Sequence, residues 1–342
     1  MRTRTRRLTL LATATLAGII ALASPASATT SDAGLFGASD PTYDGVFRQS
    51  LAIIGLQQAG ATVPPSAISW LLAQQCADGS FMAYRTTEAC AESDPVNYTG
   101  PDTNSTAMAA MALAAVGKNA AADKAAHALA TRRNADGGWG YVFGSPSDAN
   151  STGLVLAALD HSSDDEKRAE LAGLRYLRGL AGACSKGASS LPYQQGQAAN
   201  DLASAQALLG LNTGLDFQNS PAKYTKAQKC NEELDQRVAE FLLANLRKGN
   251  GLLSSAMSEG KPDYNTTAWS VIGLVGADRP AADLRLPLRK LEAGARTFIG
   301  TGTAASPAAA GTLAIVAEHT DADPRDFGGV DLVSTIKGTL RK

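Results

Sequence analysis

Two kinds of apolar segment alternate along this chain. Residues 107–116, 153–159, 205–211 and 268–276 are apolar on nearly every side, as in Met108-Ala109-Ala110-Met111-Ala112-Leu113, and 44–56 and 308–317 are weaker matches to the same pattern. A helix with no polar face is one buried all round, and alanine carries the best helix propensity while letting helices approach closely. Between these runs lie amphipathic segments at 66–75, 121–133, 165–180, 232–248, 283–298 and 330–340. In one of them Leu171, Leu174 and Leu177 recur three apart while Glu170, Arg175 and Arg178 serve the wet side. Six buried helices alternating with six amphipathic ones predict an all-α fold, an α6/α6 toroid with six inner and six outer helices. An open solenoid would leave the inner-type helices half covered and would need distinct caps, which the sequence lacks.

A polar signature opens four of the six buried runs. Asp102-Thr103-Asn104-Ser105-Thr106, Asp148-Ala149-Asn150-Ser151-Thr152 and Asp263-Tyr264-Asn265-Thr266-Thr267 are full copies, and Asn200-Asp201-Leu202-Ala203-Ser204 is a degraded one. The starts fall 46, 52 and 63 residues apart, the size of a two-helix unit plus loops. Side-chain oxygens at a helix start satisfy its orphan N–H groups and complement its positive dipole end, so capping is the first reading. If every inner helix points the same way, these residues converge on one mouth, where polar groups around an apolar cavity are the usual anatomy of a binding site. The candidate mouth residues are Asp102, Asn104, Asp148, Asn150, Asn200, Asp263 and Asn265, with Trp139, Tyr141 and Trp269 close to the same end.

Charge and cysteine usage give the compartment. Arg2, Arg4, Arg6 and Arg7 precede an apolar run, and Ala26-Ser27-Ala28 supplies a small-residue cleavage pattern, so residues 1–28 read as a secretory signal peptide cut after Ala28. The remaining organisation is a short lead, 29–43, and a single toroid domain of about six helix-pair repeats, 44–342. No later stretch approaches the ~20 apolar residues of a membrane span. Residues 29–342 carry a net charge of −5, without the basic surface a nucleic-acid binder needs. Four cysteines allow three pairings. Nearest-neighbour disulfides, Cys76–Cys90 and Cys184–Cys230, are the expectation, and free thiols the rival. No Cys-x-x-Cys pair or nearby histidine supports zinc. A secreted, soluble monomer follows.

The loops before the buried runs carry a resemblance. Asn134-Ala135-Asp136-Gly137-Gly138-Trp139-Gly140 resembles the glycine-tryptophan turn of the prenyltransferase/squalene-cyclase repeat, with a second copy at Gln74-Gln75-Cys76-Ala77-Asp78-Gly79-Ser80-Phe81 and a faded third at Lys248-Gly249-Asn250-Gly251-Leu252. The resemblance spans about residues 40–340 and implies the toroid of terpenoid cyclases, protein prenyltransferases and cobalamin carriers. The activities transfer poorly. Where the cyclase motif Asp-x-Asp-Asp-Thr-Ala has its acidic pair, this chain has Asn104 and Ser105, and neither donates a proton at useful acidity. His127, His161 and His319 do not match the prenyltransferase zinc constellation.

The expectation is therefore a non-catalytic secreted toroid with no catalytic residue, metal or cofactor assigned, binding a small molecule, glycan or surface partner at the mouth. The alternatives are a divergent cyclase- or prenyltransferase-like or carbohydrate-active enzyme, for which Asp94, Asp102, Asp148 and Asp263 are the carboxylates to examine, and a cobalamin-type carrier.

Overall fold

The computed structural model describes residues 32–85, 90–159, 163–212, 229–255 and 260–342. The proposed leader and its cleavage site lie outside these residues. Six helices form an inner ring: α1 (Gly45–Gln58), α3 (Thr103–Ala115), α5 (Ala149–Ala158), α7 (Asp201–Leu211), α9 (Tyr264–Gly276) and α11 (Pro307–His319). Each packs on the next, and α11 packs on α1, so the ring is closed. Six more lie outside it: α2 (Pro65–Gln74), α4 (Asn119–Thr131), α6 (Asp164–Leu180), α8 (Leu234–Lys248), α10 (Ala281–Ile299) and α12 (Leu332–Gly338). This is the α/α toroid that the alternating pattern predicts. The last outer helix is shorter than its amphipathic segment, because its chain leaves to pair Leu340 with Phe36.

Glycine sets the closeness of the inner ring at two seams. A Cβ on Gly55 would lie 2.6 Å from the Gly311 carbonyl oxygen, and one on Gly153 would lie 2.3 Å from that of Gln206. Any side chain there would wedge apart α1 and α11, or α5 and α7. The result is a filled ring. Residues 48–56, 105–110, 149–156, 203–210, 266–274 and 309–317 are buried throughout, so the middle turns of the inner helices are closely packed.

Residues 32–37 stitch the two ends of the ring together. The Gly34 N–H donates to Arg341 O at 2.9 Å and the Arg341 N–H donates to Leu35 O at 2.9 Å. The Arg341 guanidinium pairs with Asp32, and Leu35 and Phe36 are fully buried. Both expected disulfides form: Cys76–Cys90, with Cα atoms 5.7 Å apart, and Cys184–Cys230, with Cα atoms 5.6 Å apart. Two such bridges fit an oxidising, extracellular compartment. No described helix is long and apolar enough to cross a membrane.

Candidate functional site

The connections entering the inner helices, residues 75–102, 132–148, 181–200 and 249–263, are long, while those leaving α3 and α9 are short. The long loops form the rim at the N-terminal end of the ring. Each is tied down by the same device. The N–H groups of Phe81, Trp139, Leu191 and Leu253 donate to the hydroxyls of Thr106, Thr152, Ser204 and Thr267 at 2.9–3.0 Å. Each hydroxyl is the fifth residue of a signature pentapeptide. The first residue is the cap: Asp102, Asp148, Asn200 and Asp263 accept the N–H of Ser105, Ser151, Ala203 and Thr266 at 2.5–2.8 Å. In two copies the fourth residue returns a hydroxyl bond, Ser151 to Asp148 at 3.0 Å and Thr266 to Asp263 at 2.7 Å.

Positions one, four and five build each junction of loop and helix, and position three is used only in part. Asn104 has a buried Oδ1 with no hydrogen-bond partner. Asn150 donates from Nδ2 to Gln206 Oε1 at 2.9 Å, yet its own Oδ1 is buried and unpartnered although the residue is only 9% exposed. Asn265 is exposed. A buried acceptor left without a donor costs about 1–3 kcal/mol, so these amides are the part of the signature that folding leaves unexplained.

The caps differ in their electrostatics. Burial pushes the Asp102 carboxyl up to about 7, although Ser105 and the Asn104 N–H pull it down. Burial likewise raises Asp148 to about 6 against hydrogen bonds from Ser151, Tyr193 and the Asn150 N–H. Asp201 is raised by burial and by the nearby charge of Asp263. None of Asp102, Asp148, Asp201 and Asp263 forms an ion pair among the described residues.

Tyrosines surround the two buried carboxylates. Tyr141 accepts the Thr103 N–H at its carbonyl, 2.8 Å away, and its phenol is pushed up to about 12 by burial and by Asp102. Tyr193 accepts the Ala149 N–H in the same way at 3.0 Å. Its phenol is raised first by burial and then by the nearby Asp148 carboxylate. Tyr98 is 54% exposed at the end of a hairpin in which Asp94 accepts the Val96 and Asn97 N–H groups. Asp94 is thus an exposed turn residue and stays apart from the buried pair.

Two of the candidate aromatics leave the mouth. Trp139 is 1% exposed, with its indole N–H donating to Leu129 O at 2.8 Å, because the tight turn before it swings the ring under α4. The turn needs glycine at 137, where φ is +100° and a Cβ would lie 2.7 Å from Ala172 O. Trp269 is 4% exposed, a turn and a half into α9, and fills the core. Sequence reading missed Tyr98 and Tyr193, which stand singly in loops without a repeating signal. It also missed Gln206, buried within an otherwise apolar run. His161 lies outside the described residues, His127 is exposed on α4, and His319 is half-buried at the end of α11, with its pKa lowered by desolvation.

No family model and no curated protein matches this chain. Solved structures do. A protein from Actinoplanes has a TM-score of 0.51 at 13% identity, covering 84% of this chain and 92% of that one. The ent-copalyl diphosphate synthase from Streptomyces platensis has a TM-score of 0.53 at 15% identity, covering 81% of this chain, which spans 50% of that enzyme. The GH76 alpha-mannanase from Bacteroides thetaiotaomicron has a TM-score of 0.50 at 12% identity, covering 81% of this chain and 84% of that one. The shared property is the α/α toroid of the terpenoid-cyclase type, and at these identities the likeness concerns the fold.

Proposed function

We propose that this chain is a secreted, monomeric, non-catalytic toroid that binds a ligand at the N-terminal mouth of its inner ring. The observation that carries the reading is the unsatisfied amide oxygen at the third position of two signature copies. Asn104 and Asn150 hold buried amide oxygens without partners, beside buried carboxylates and half-exposed tyrosines. The buried middle turns of the inner helices favour the mouth over the lumen as the place for a ligand. Small molecules, glycans and surface partners are the ligand classes a polar rim with aromatic walls accommodates. The proposed organisation is a signal peptide cut after Ala28, a short lead and one toroid domain; N-terminal sequencing of exported protein checks the cut.

The functional test is native mass spectrometry of the purified mature protein after exposure to culture and envelope extracts. A retained mass is expected in the wild type and at least tenfold less in Asp148→Asn, which keeps the cap. Equal retention in wild type, Asp148→Asn and Tyr141→Ala would leave the rim purely structural.

The enzymatic alternative draws on Asp102, a fully buried carboxyl that is half-protonated at about pH 7 and so able to serve as a proton donor. The toroids similar in shape include a copalyl diphosphate synthase and an alpha-mannanase. Turnover of a polyprenyl substrate or of mannan, abolished by Asp102→Asn, would establish this reading in place of the first. A mass retained unchanged would count against it.

A further inference from the structure

We infer that a groove on the outer side of the rim, between the loop at 133–137 and the last turns of α6, takes an acidic sugar, with Arg133 and Arg175 holding its carboxylate and Asp136 its hydroxyls. This site does not rest on the mouth-binding reading, and its lining includes neither Asn104 nor Asn150. The groove has a volume of about 520 Å³, within the ~300–1,000 Å³ usual for small-ligand sites. Helical spacing builds one of its walls. Arg175, Tyr176, Gly179 and Leu180 recur three and four apart, so they share one face of α6. Gln195 joins them from the next rim loop. A Cβ on Gly179 would meet no atom within 4 Å, so the groove stays open above that turn.

Charge in the groove runs against that of the chain. Two guanidiniums stand with one carboxylate here, while residues 29–342 as a whole carry −5. Among the described residues neither Arg133 nor Arg175 forms an ion pair, and Arg133 donates at 3.3 Å to the carbonyl of its own neighbour Asn134. The other groups are fixed before any ligand arrives. Asp136 Oδ1 accepts the Gly138 N–H at 3.0 Å and the Ser147 hydroxyl at 2.8 Å, which holds the carboxylate in place and leaves Oδ2 for a ligand. The Tyr176 hydroxyl donates to Ser147 O at 2.7 Å, and a Cβ on Gly138 would lie 2.8 Å from the tyrosine ring, so the ring is clamped as an apolar wall. This set of groups selects among anions. Sulfate or phosphate would use the guanidiniums and be opposed by Asp136. A fatty acid would find glycine and alanine where its chain needs a deep apolar cleft. An acidic sugar uses every part: its carboxylate matches the forked guanidinium donors, its hydroxyls donate to Asp136, and its C–H face packs on the Tyr176 ring.

The test follows the NMR signals of the Gly179 amide and the Tyr176 ring in the intact mature protein at constant ionic strength. The titrants are methyl β-D-glucuronide, digalacturonate, methyl β-D-glucoside, sodium acetate, sodium sulfate and L-alanine. Saturable shifts are expected with the acidic sugars, and weaker ones with the neutral glucoside and with acetate, each of which offers half of the match. Affinity should fall about fivefold or more in Arg133→Ala and in Arg175→Ala, and hold in Arg178→Ala, whose side chain lies off the groove. Gly179→Leu fills the groove and should abolish binding while the thermal midpoint holds or rises, because leucine is the better helix former. Sulfate or L-alanine binding as tightly as the acidic sugars would overturn the inference. So would affinity unchanged in Arg175→Ala or Gly179→Leu, and so would silence with both acidic sugars. None of these outcomes bears on the mouth, which the Asp148→Asn comparison judges separately.

Discussion

Asp148 and Asp331 cap their helices in the same way and live in different electrostatic worlds. Asp148 accepts the Ser151 N–H at 2.7 Å and its hydroxyl at 3.0 Å; Asp331 accepts the Ser334 N–H at 2.8 Å and its hydroxyl at 2.6 Å. One opens an inner helix and the other an outer helix. For Asp148, burial outweighs the hydrogen bonds and the carboxyl rises to about 6. For Asp331, the burial that would raise it is overcome by Ser334 and Arg325, and the carboxyl falls below its ordinary value. A cap motif thus fixes geometry, while the depth at which its carboxylate is buried decides its electrostatics; Asp263, capping the inner helix α9, is only half-buried.

The largest expected effect that would break this contrast is on the pH dependence of stability, with Asp102 as the extreme inner case. Its folded value, about 7, lies above the ordinary unfolded value of about 3.9, so between those pH values the folded state holds a proton that the unfolded chain has released. The stability it contributes is complete below the unfolded value and is lost as pH rises through about 7. Asp102→Asn removes that slope. Urea unfolding from pH 4.5 to 7.5 should show the wild type gaining on the variant toward acid, with a limiting slope of about 1.4 kcal/mol per pH unit. Asp331 has the opposite sign, its stabilisation being present above the unfolded value and lost only as pH falls through its lowered folded value. Parallel curves for wild type and Asp102→Asn would erase the difference between the two layers.

A smaller effect separates the caps at neutral pH. Asp148→Ala strands a buried N–H and should cost about 1–3 kcal/mol. Asp331→Ala, where water can replace the carboxylate, should cost about 0.5–1 kcal/mol. Denaturant midpoints measured side by side check both, and equal costs would mean that burial does not amplify the cap. Smallest of all, Tyr98→Ala should change stability by less than about 0.5 kcal/mol, as for an exposed loop residue. A larger loss would make the tyrosine wall part of the fold.

The toroid was legible because burial on every side and burial on one side leave different periodicities, and six of each leave one closed arrangement. The caps were legible because Asp, Asn, Ser and Thr before an apolar run have a physical reason to be there. The uses of the pentapeptide positions were not. Asn150 and Ser151 look alike as letters, and only the structure separates the hydroxyl that returns to Asp148 from the amide oxygen that meets no donor. Trp139 and Tyr141 are two residues apart and end on opposite sides of the loop, a consequence of the turn at Gly137 rather than of their own chemistry. Tyr98 and Tyr193 join the rim from separate loops, and nothing local in either loop announces the other. The glycine seams were hidden for the same reason: Gly55 and Gly311 matter as a pair, and their distance along the chain conceals it.

The stitch between residues 32–37 and Arg341 bears on the order of events during folding. Its bonds join residues 304 and 309 positions apart, so no stretch of growing or emerging chain can make them until nearly all of it is present. Contacts between neighbouring inner helices such as α3 and α5 join nearby stretches of chain, whereas the α1–α11 seam and the Arg341 stitch join its two ends. The entropy of bringing distant ends together grows only with the logarithm of their separation, so the late step is slow more than it is costly. The seam that closes the circuit, α1 on α11, rests on one glycine from each helix, Gly55 and Gly311, so the ring's closure hangs on two residues that lie far apart in the chain.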